Sequence, residues 1–222
     1  ISCEGENKKP NIILIMVDDM GYECLSCNGS LSYNTPILDS LATNGIRFSH
    51  CISQPVCTPS RVKIMTGMYN YRNYEYWGYL NQNQYTFVNL MQEAGYKTCI
   101  CGKWQLNGLH DKERTPYADN TTPYKFGFDE YCLWQLTRRT NEGERYSNPL
   151  IEQNGMFLET DEDDYGPDIF TNYIIDFIDR NQQNKFFIYY PMVLVHAPFV
   201  PTPDSESWED QGRRYEKDTC YF

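Results

Sequence analysis

Cys57 stands in the run QPVCTPSRVKIMTG, Gln54 to Gly67, with prolines at 55 and 59 and a helical pattern downstream. At a helix N-terminus the dipole and free N–H groups lower a thiol's pKa and stabilise an oxyanion. Arg61 follows by one helical turn and can face the same pocket. Such a cysteine can act as a nucleophile with His196 as its partner. It can equally be an inert buried thiol, the commoner fate of cysteine. Asp18 and Asp19 close the apolar run PNIILIMVDD. Neighbouring residues on a strand point oppositely, but at its end both can turn towards one cation. Oxygen ligands favour Ca2+ or Mg2+ over zinc. Solvated loop carboxylates are the plain alternative for this pair. Lys103 in GKWQLNG and His196 in HAPFVPTPD complete the set. A surface lysine and a satisfied core histidine are their ordinary alternatives. His50 and His110 have no supporting context.

These groups need elements to position them. PNIILIMVDD predicts a strand buried on both faces, as in a mainly parallel sheet. Thr35 and Pro36 open a helix striped by Ile37, Leu38, Leu41 and Ala42 and closed by Gly45. IRFSHCIS predicts a second strand, and RVKIMTGMY a short helix. Thr86 caps FVNLMQEA, Gly95 stops it, and YKTCIC is a strand running into GKWQLNG. Leu106 to Gly166 is polar and predicts loops and excursions at the edge of the fold, with short strand-like pieces such as FGFDEYCLW. Asp168 opens a helix with Ile169, Tyr173, Ile174, Phe177 and Ile178 at helical spacing, and KFFIYYPMVLVHAPF is a last buried strand. The alternation predicts a doubly wound α/β sheet flanked by helices. In such sheets ligands bind beyond the carboxyl ends of the strands. Asp18, Asp19, Cys57, Lys103 and His196 should gather at that edge.

The chain has 222 residues, a net charge of −11 and 22% charged residues, against 41% hydrophobic. It can bury a core, and its acidity argues against a nucleic-acid partner, which needs a basic face. Aromatic residues make up 15%, including 19 tyrosines, a composition met in carbohydrate-handling proteins. There are nine cysteines. Cys24 and Cys27 have C-x-x-C spacing, but Cys99 and Cys101 are too close for ordinary zinc ligation. Buried or disulfide-bonded cysteine is the expectation. No run is long enough to span a membrane. Residues 1–10 form a polar leader. It reads as a trimmed export sequence whose Cys3 could carry a lipid, or as an arbitrary start.

CTPSR followed by MTG resembles the sulfatase signature C-x-P-S-R-x-x-x-x-T-G, with Cys57, Pro59, Ser60, Arg61, Thr66 and Gly67 in register. VDDMG resembles that family's first metal-binding segment, GKWQLNG its G-K-W-H-L-G element and HAPFVPTPD its histidine-proline element. The four occur in the family's order, from Asn11 to about Ser207. The resemblance implies an alkaline-phosphatase-like fold, with 11–222 the N-terminal part of a longer catalytic domain. It also implies that a formylglycine-generating enzyme reads the Cys-Thr-Pro-Ser-Arg run and oxidises Cys57 to Cα-formylglycine. The hydrated aldehyde would attack the sulfur of a sulfate ester, with carbohydrate esters among the substrates in view. Ca2+, or Mg2+, would be held by Asp18, Asp19 and the modified Cys57. Arg61 would pair with the diol and the carboxylates, and Lys103 and His196 would contact sulfate. Export to the periplasm or outside the cell is implied as well.

Two departures stand out. The family has histidine where this chain has Gln105, and glutamine cannot shuttle a proton near neutral pH. A second family Asp-Asn metal pair and a further lysine have no counterpart here. Three rivals follow: a phosphonate or phosphodiester hydrolase using the same nucleophile, a non-catalytic binder of sulfated glycans, and a thiol hydrolase using unmodified Cys57.

Overall fold

The computed structural model describes residues 9–109, 111, 119–138 and 145–210. Cys3, His110, Cys220 and most of the leader lie outside them. The strands are β1 (Ile12–Met16), β2 (Lys97–Lys103), β3 (Glu130–Trp134), β4 (Ile151–Gln153), β5 (Met156–Phe157) and β6 (Phe186–Pro191). The helices are α1 (Pro36–Asn44), α2 (Cys57–Thr66), α3 (Asn70–Asn73), α4 (Phe87–Glu93), α5 (Thr122–Lys125) and α6 (Gly166–Arg180).

Six strands form one sheet in the order β1-β6-β2-β3-β4-β5. The first four in that order run parallel, and β4 and β5 add an antiparallel edge. Every residue of β6 is buried, as expected for a central strand covered on both faces. Its side chains alternate between two cores. Phe187 and Tyr189 join Val62, Met65, Val88 and Trp104 on the face covered by α2 and α4. Phe186, Ile188 and Tyr190 join Trp134, Phe170 and Phe177 on the face covered by α6. This is the expected mainly parallel sheet with helices on both faces.

The starts of the helices follow local chemistry. Thr86 and Asn89 form a reciprocal capping box at α4. α6 begins at Gly166, with Pro167 in its first turn, two residues before the expected Asp168. Thr35 stands at the start of α1, but its hydroxyl accepts from the Ser26 N–H at 2.9 Å and makes no cap bond.

Three expectations need correction. IRFSHCIS forms no strand, so Cys57 follows an irregular segment. Ile46, Phe48 and Ile52 line a groove with Ile15 and Leu41 without joining the hydrogen-bond ladder. β1 is half-exposed, because it is an edge strand with Ile13 and Ile15 on its open face. Within Leu106–Gly166, FGFDEYCLW is no excursion. β3 lies parallel to β2, with Cys101 level with Cys132 and Lys103 level with Trp134.

Candidate active site

The parallel strands deliver their carboxyl ends to one edge. After β1, the Asp18 N–H donates to the Leu194 carbonyl and the Val195 N–H donates to the Asp18 carbonyl, both at 2.8 Å. This pairing past the ends of β1 and β6 brings the Asp18–Asp19 turn against the segment carrying His196. β2 delivers Lys103 and then Gln105 beside it. Gly102 lets this happen: its φ is +116°, and a Cβ there would lie 2.2 Å from the Pro191 carbonyl oxygen.

Cys57 is the first residue of α2, so it stands at a helix N-terminus as expected, although the helix starts four residues before the expected RVKIMTGMY and stops at Thr66; Cys57 is 9% exposed. Its Sγ lies 3.6 Å from Lys103 Nζ and 4.0 Å from Gln105 Oε1. Lys103 Nζ donates to Asp18 Oδ2 at 2.6 Å, and both side chains are nearly inaccessible. Burial pushes the Lys103 pKa down, reinforced by the charge of Arg61 and opposed by Cys57 and Asp18. Arg61 is buried too. Its Nη1 donates to the carbonyls of Lys103, at 3.0 Å, and Trp104, and its Nη2 to that of Gln105, at 3.4 Å. It thus fastens the backbone that carries Lys103 to the helix that carries Cys57. Its Nε is buried with no acceptor among the described residues. Gln105 has φ +44°, an uncommon conformation for a residue with a side chain.

A second cluster adjoins the first through the Asp18–Asp19 peptide. His196 Nε2 lies 3.3 Å from Asp19 Oδ2. Arg145 Nη1 lies 3.1 Å from His196 Nδ1, and the guanidinium sits 4.3 Å over the Trp134 ring. Tyr146 donates its hydroxyl to the carbonyls of Val193, at 3.1 Å, and His196. All seven singled-out residues, Asp18, Asp19, Cys57, Arg61, Lys103, Gln105 and His196, therefore fall into these two adjoining clusters. Sequence reasoning missed Arg145, which lies in a polar stretch without motif or periodicity.

Among the described residues, no three His, Cys, Asp or Glu side chains converge as a metal group. The donors present are two adjacent carboxylates. Asp18 is buried against Lys103, and Asp19, with φ +59°, turns its half-exposed carboxylate towards His196. Hard oxygen donors suit Ca2+ or Mg2+, and Ca2+ takes about six to eight of them. The residues fit such a cation as part of its shell. The described cysteines are all free, with Cys99, Cys101 and Cys132 buried in the core.

A family model of sulfatases matches residues 10–221. The N-acetylglucosamine-6-O-sulfatase of Bacteroides thetaiotaomicron is 32% identical over 206 residues, which are 89% of this chain and 33% of that protein. The N-acetylgalactosamine-6-sulfatase of Mus musculus is 30% identical, over 87% of this chain and 41% of its own length. A solved structure described as a complex with its substrate D-glucosamine-2-N,6-O-disulfate is similar with a TM-score of 0.72 and 30% identity. It matches over 88% of this chain and 36% of that one. The chain thus spans well under half of the relatives it resembles. The fold is alkaline-phosphatase-like, and the chain belongs to the sulfatase family.

Proposed function

We propose that this chain carries the nucleophile side of a sulfuric ester hydrolase acting on sulfated carbohydrates, with Cys57 as the residue that becomes Cα-formylglycine. One observation carries the reading. Cys57 opens α2 in a buried row, with Lys103 between its sulfur and the Asp18 carboxylate. A cysteine kept only for packing has no use for a buried lysine at 3.6 Å. The names of the relatives, sulfatases of 6-sulfated amino sugars, support the carbohydrate class.

As the hydrated aldehyde, residue 57 would supply two hydroxyls, one as the nucleophile on sulfur as the sugar alcohol departs and one to release sulfate as the aldehyde re-forms. Asp18, Asp19 and modified residue 57 would hold a divalent cation, Ca2+ by family resemblance or Mg2+, that offsets charge on the sulfate. Lys103 places an ammonium beside the reacting residue. Arg61 Nε lacks an acceptor, and a hydroxyl on residue 57, one turn away, is the kind it lacks. His196 would meet the ester oxygens and protonate the departing one. The CTPSR run would be read by a formylglycine-generating enzyme, and the protein would work in the periplasm or outside the cell. Among the described residues no helix is long and apolar enough to cross a membrane.

The test is the mass of the tryptic peptide containing Cys57, from protein made in its native host. A loss of about 18 Da relative to cysteine is expected, since the nucleophile must be an aldehyde. An unmodified, alkylatable thiol would end the formylglycine reading. Faster turnover of aryl phosphate than aryl sulfate esters would favour the phosphonate or phosphodiester hydrolase instead. Gln105 supports a second reading. Where the family has histidine, an amide faces Cys57 at 4.0 Å and cannot carry a proton. A sulfated-glycan binder without turnover would keep this pocket. Hydrolysis of a sulfated sugar by the matured protein would exclude it.

A further inference from the structure

Trp77 has no part in the chemistry above, yet its loop is fastened beside the nucleophile. The N–H of the next residue, Gly78, donates to Thr58 Oγ1 at 3.2 Å, and Thr58 follows Cys57 in α2. The chain that leaves β2 holds the loop from the other side. The Leu80 N–H donates to the Leu106 carbonyl at 2.9 Å, and the Gly108 N–H donates to the Gly78 carbonyl at 2.7 Å. Residues 78–80 thus lie against 106–108, directly after Gln105. Tyr76 and Tyr79 stack with ring centroids 4.6 Å apart and 7° between their planes. Asn81 Nδ2 donates to Glu75 Oε1 at 2.7 Å across the base of the loop. Trp77 is therefore mounted on both segments that bring Cys57 and Gln105 together.

Its exposure sets it apart. Of the four tryptophans, Trp104 and Trp134 are fully buried and Trp208 is 6% exposed, whereas Trp77 is 40% exposed. The residues that follow it, Gly78, Tyr79 and Leu80, are all buried, so the indole stays open to solvent on a fixed backbone. A rigid aromatic face beside a polar site suits a ligand with apolar faces and polar edges. A sugar ring has that form, with C–H groups on its faces and hydroxyls around its rim. We propose that Trp77 is a specificity-determining residue that packs its indole against the sugar whose sulfate ester reaches Cys57 and Lys103. Every sulfate ester offers the same anion to the buried row of Cys57, Lys103 and Asp18. Only a contact with the alcohol part distinguishes one ester from another, and Trp77 makes that contact. The identity of the ester rests on the proposed function, and the position of Trp77 does not.

The test has two parts. Acrylamide quenching of indole fluorescence reaches exposed tryptophan, and the share lost in Trp77→Phe belongs to Trp77. With Cys57→Ser to prevent turnover, N-acetylglucosamine 6-sulfate or N-acetylgalactosamine 6-sulfate should shield that share. Inorganic sulfate, which has no ring to stack, should not. If neither sugar shields Trp77, or if inorganic sulfate shields it equally, the proposal is overturned.

In the matured enzyme, Trp77→Ala should raise KM for the sulfated sugar by roughly 3–10-fold, the worth of one aromatic contact. Because that contact binds substrate and transition state alike, kcat should change little. Trp77→Phe keeps a ring and should recover part of the loss. The inhibition constant of inorganic sulfate should be the same in all three proteins. An unchanged KM in Trp77→Ala would overturn the proposal. So would an equal rise in the sulfate constant, which would mean a disturbed anion site rather than a lost sugar contact. If the unaltered protein hydrolyses no sulfated sugar, the proposed function fails, and the quenching still decides whether a sugar covers Trp77.

Discussion

At the scale of single residues, the proposed function makes Gln105 the position on which turnover should depend. Its side chain reaches the space beside Cys57, and its backbone holds φ +44°. Histidine is among the side-chain-bearing residues that tolerate positive φ best, so Gln105→His should fold without new strain. A positioned acid or base contributes about 10²–10⁴-fold to a proton transfer. The histidine variant of the matured enzyme is therefore expected to turn over sulfate esters at least tenfold faster than the parent, measured as kcat. An equal or lower kcat would mean that proton transfer at this position does not limit the reaction.

Lys103 gives a second expectation at the same scale. Its ammonium is buried with the Asp18 carboxylate at 2.6 Å. Removing one partner of a buried pair leaves the other charge uncompensated, at a cost of about 3–5 kcal/mol. Lys103→Met should lower the denaturant midpoint accordingly, with the m-value unchanged. Cys57, Arg61 and Lys103 were legible in the sequence because motif spacing names them. Arg145 was not, because its partner His196 is 51 residues away and only the folded chain brings them together.

At the scale of elements, β2 is the part that places the chemistry. A side chain at residue 102 would strike the Pro191 carbonyl of β6 and would also need φ +116°. Both penalties fall where Lys103 leaves the sheet. Gly102→Ala should therefore destabilise the fold by about 3 kcal/mol or more, by strain plus a steric clash. Denaturant unfolding measures this, and a change below about 1 kcal/mol, typical of an unremarkable site, would contradict it. The strands that were read correctly are those whose apolar runs bury two faces, β2 and β6. IRFSHCIS carries apolar Ile46, Phe48 and Ile52 among polar residues, but a strand also needs a partner edge. That segment runs beside β1 with Ile46, Phe48 and Ile52 largely exposed and no ladder bonds. β3 was undervalued for the opposite reason. It is five residues long in a polar neighbourhood, and only its pairing with β2 makes it central.

At the scale of the whole molecule, two groups of buried ionisable side chains act in opposite directions as pH rises. Lys103 has a folded pKa below its ordinary 10.5, so the unfolded chain holds that proton more tightly. Stability contributed through Lys103 therefore grows as pH rises through its folded pKa towards 10.5. The buried tyrosines run the other way. Burial is the first cause that pushes Tyr165 and Tyr190 up to about 12, and Tyr146, Tyr173 and Tyr189 are raised further. An unfolded tyrosine ionises near 10, so above that pH the unfolded chain releases protons that the native chain keeps. Their contribution is whole below about pH 10 and is lost as pH rises through the folded values. Stability should hold or rise as pH approaches about 10 and then fall steeply by about 12, with several tyrosines ionising only as the fold is lost. Denaturant midpoints across this range, taken alongside a spectroscopic tyrosine titration, measure both limbs. Lys103→Met should flatten the rising limb and leave the falling one in place. A profile that stays level beyond pH 10, with all 19 tyrosines titrating as in an unfolded chain, would mean that these phenols are not buried in the cores that flank the sheet.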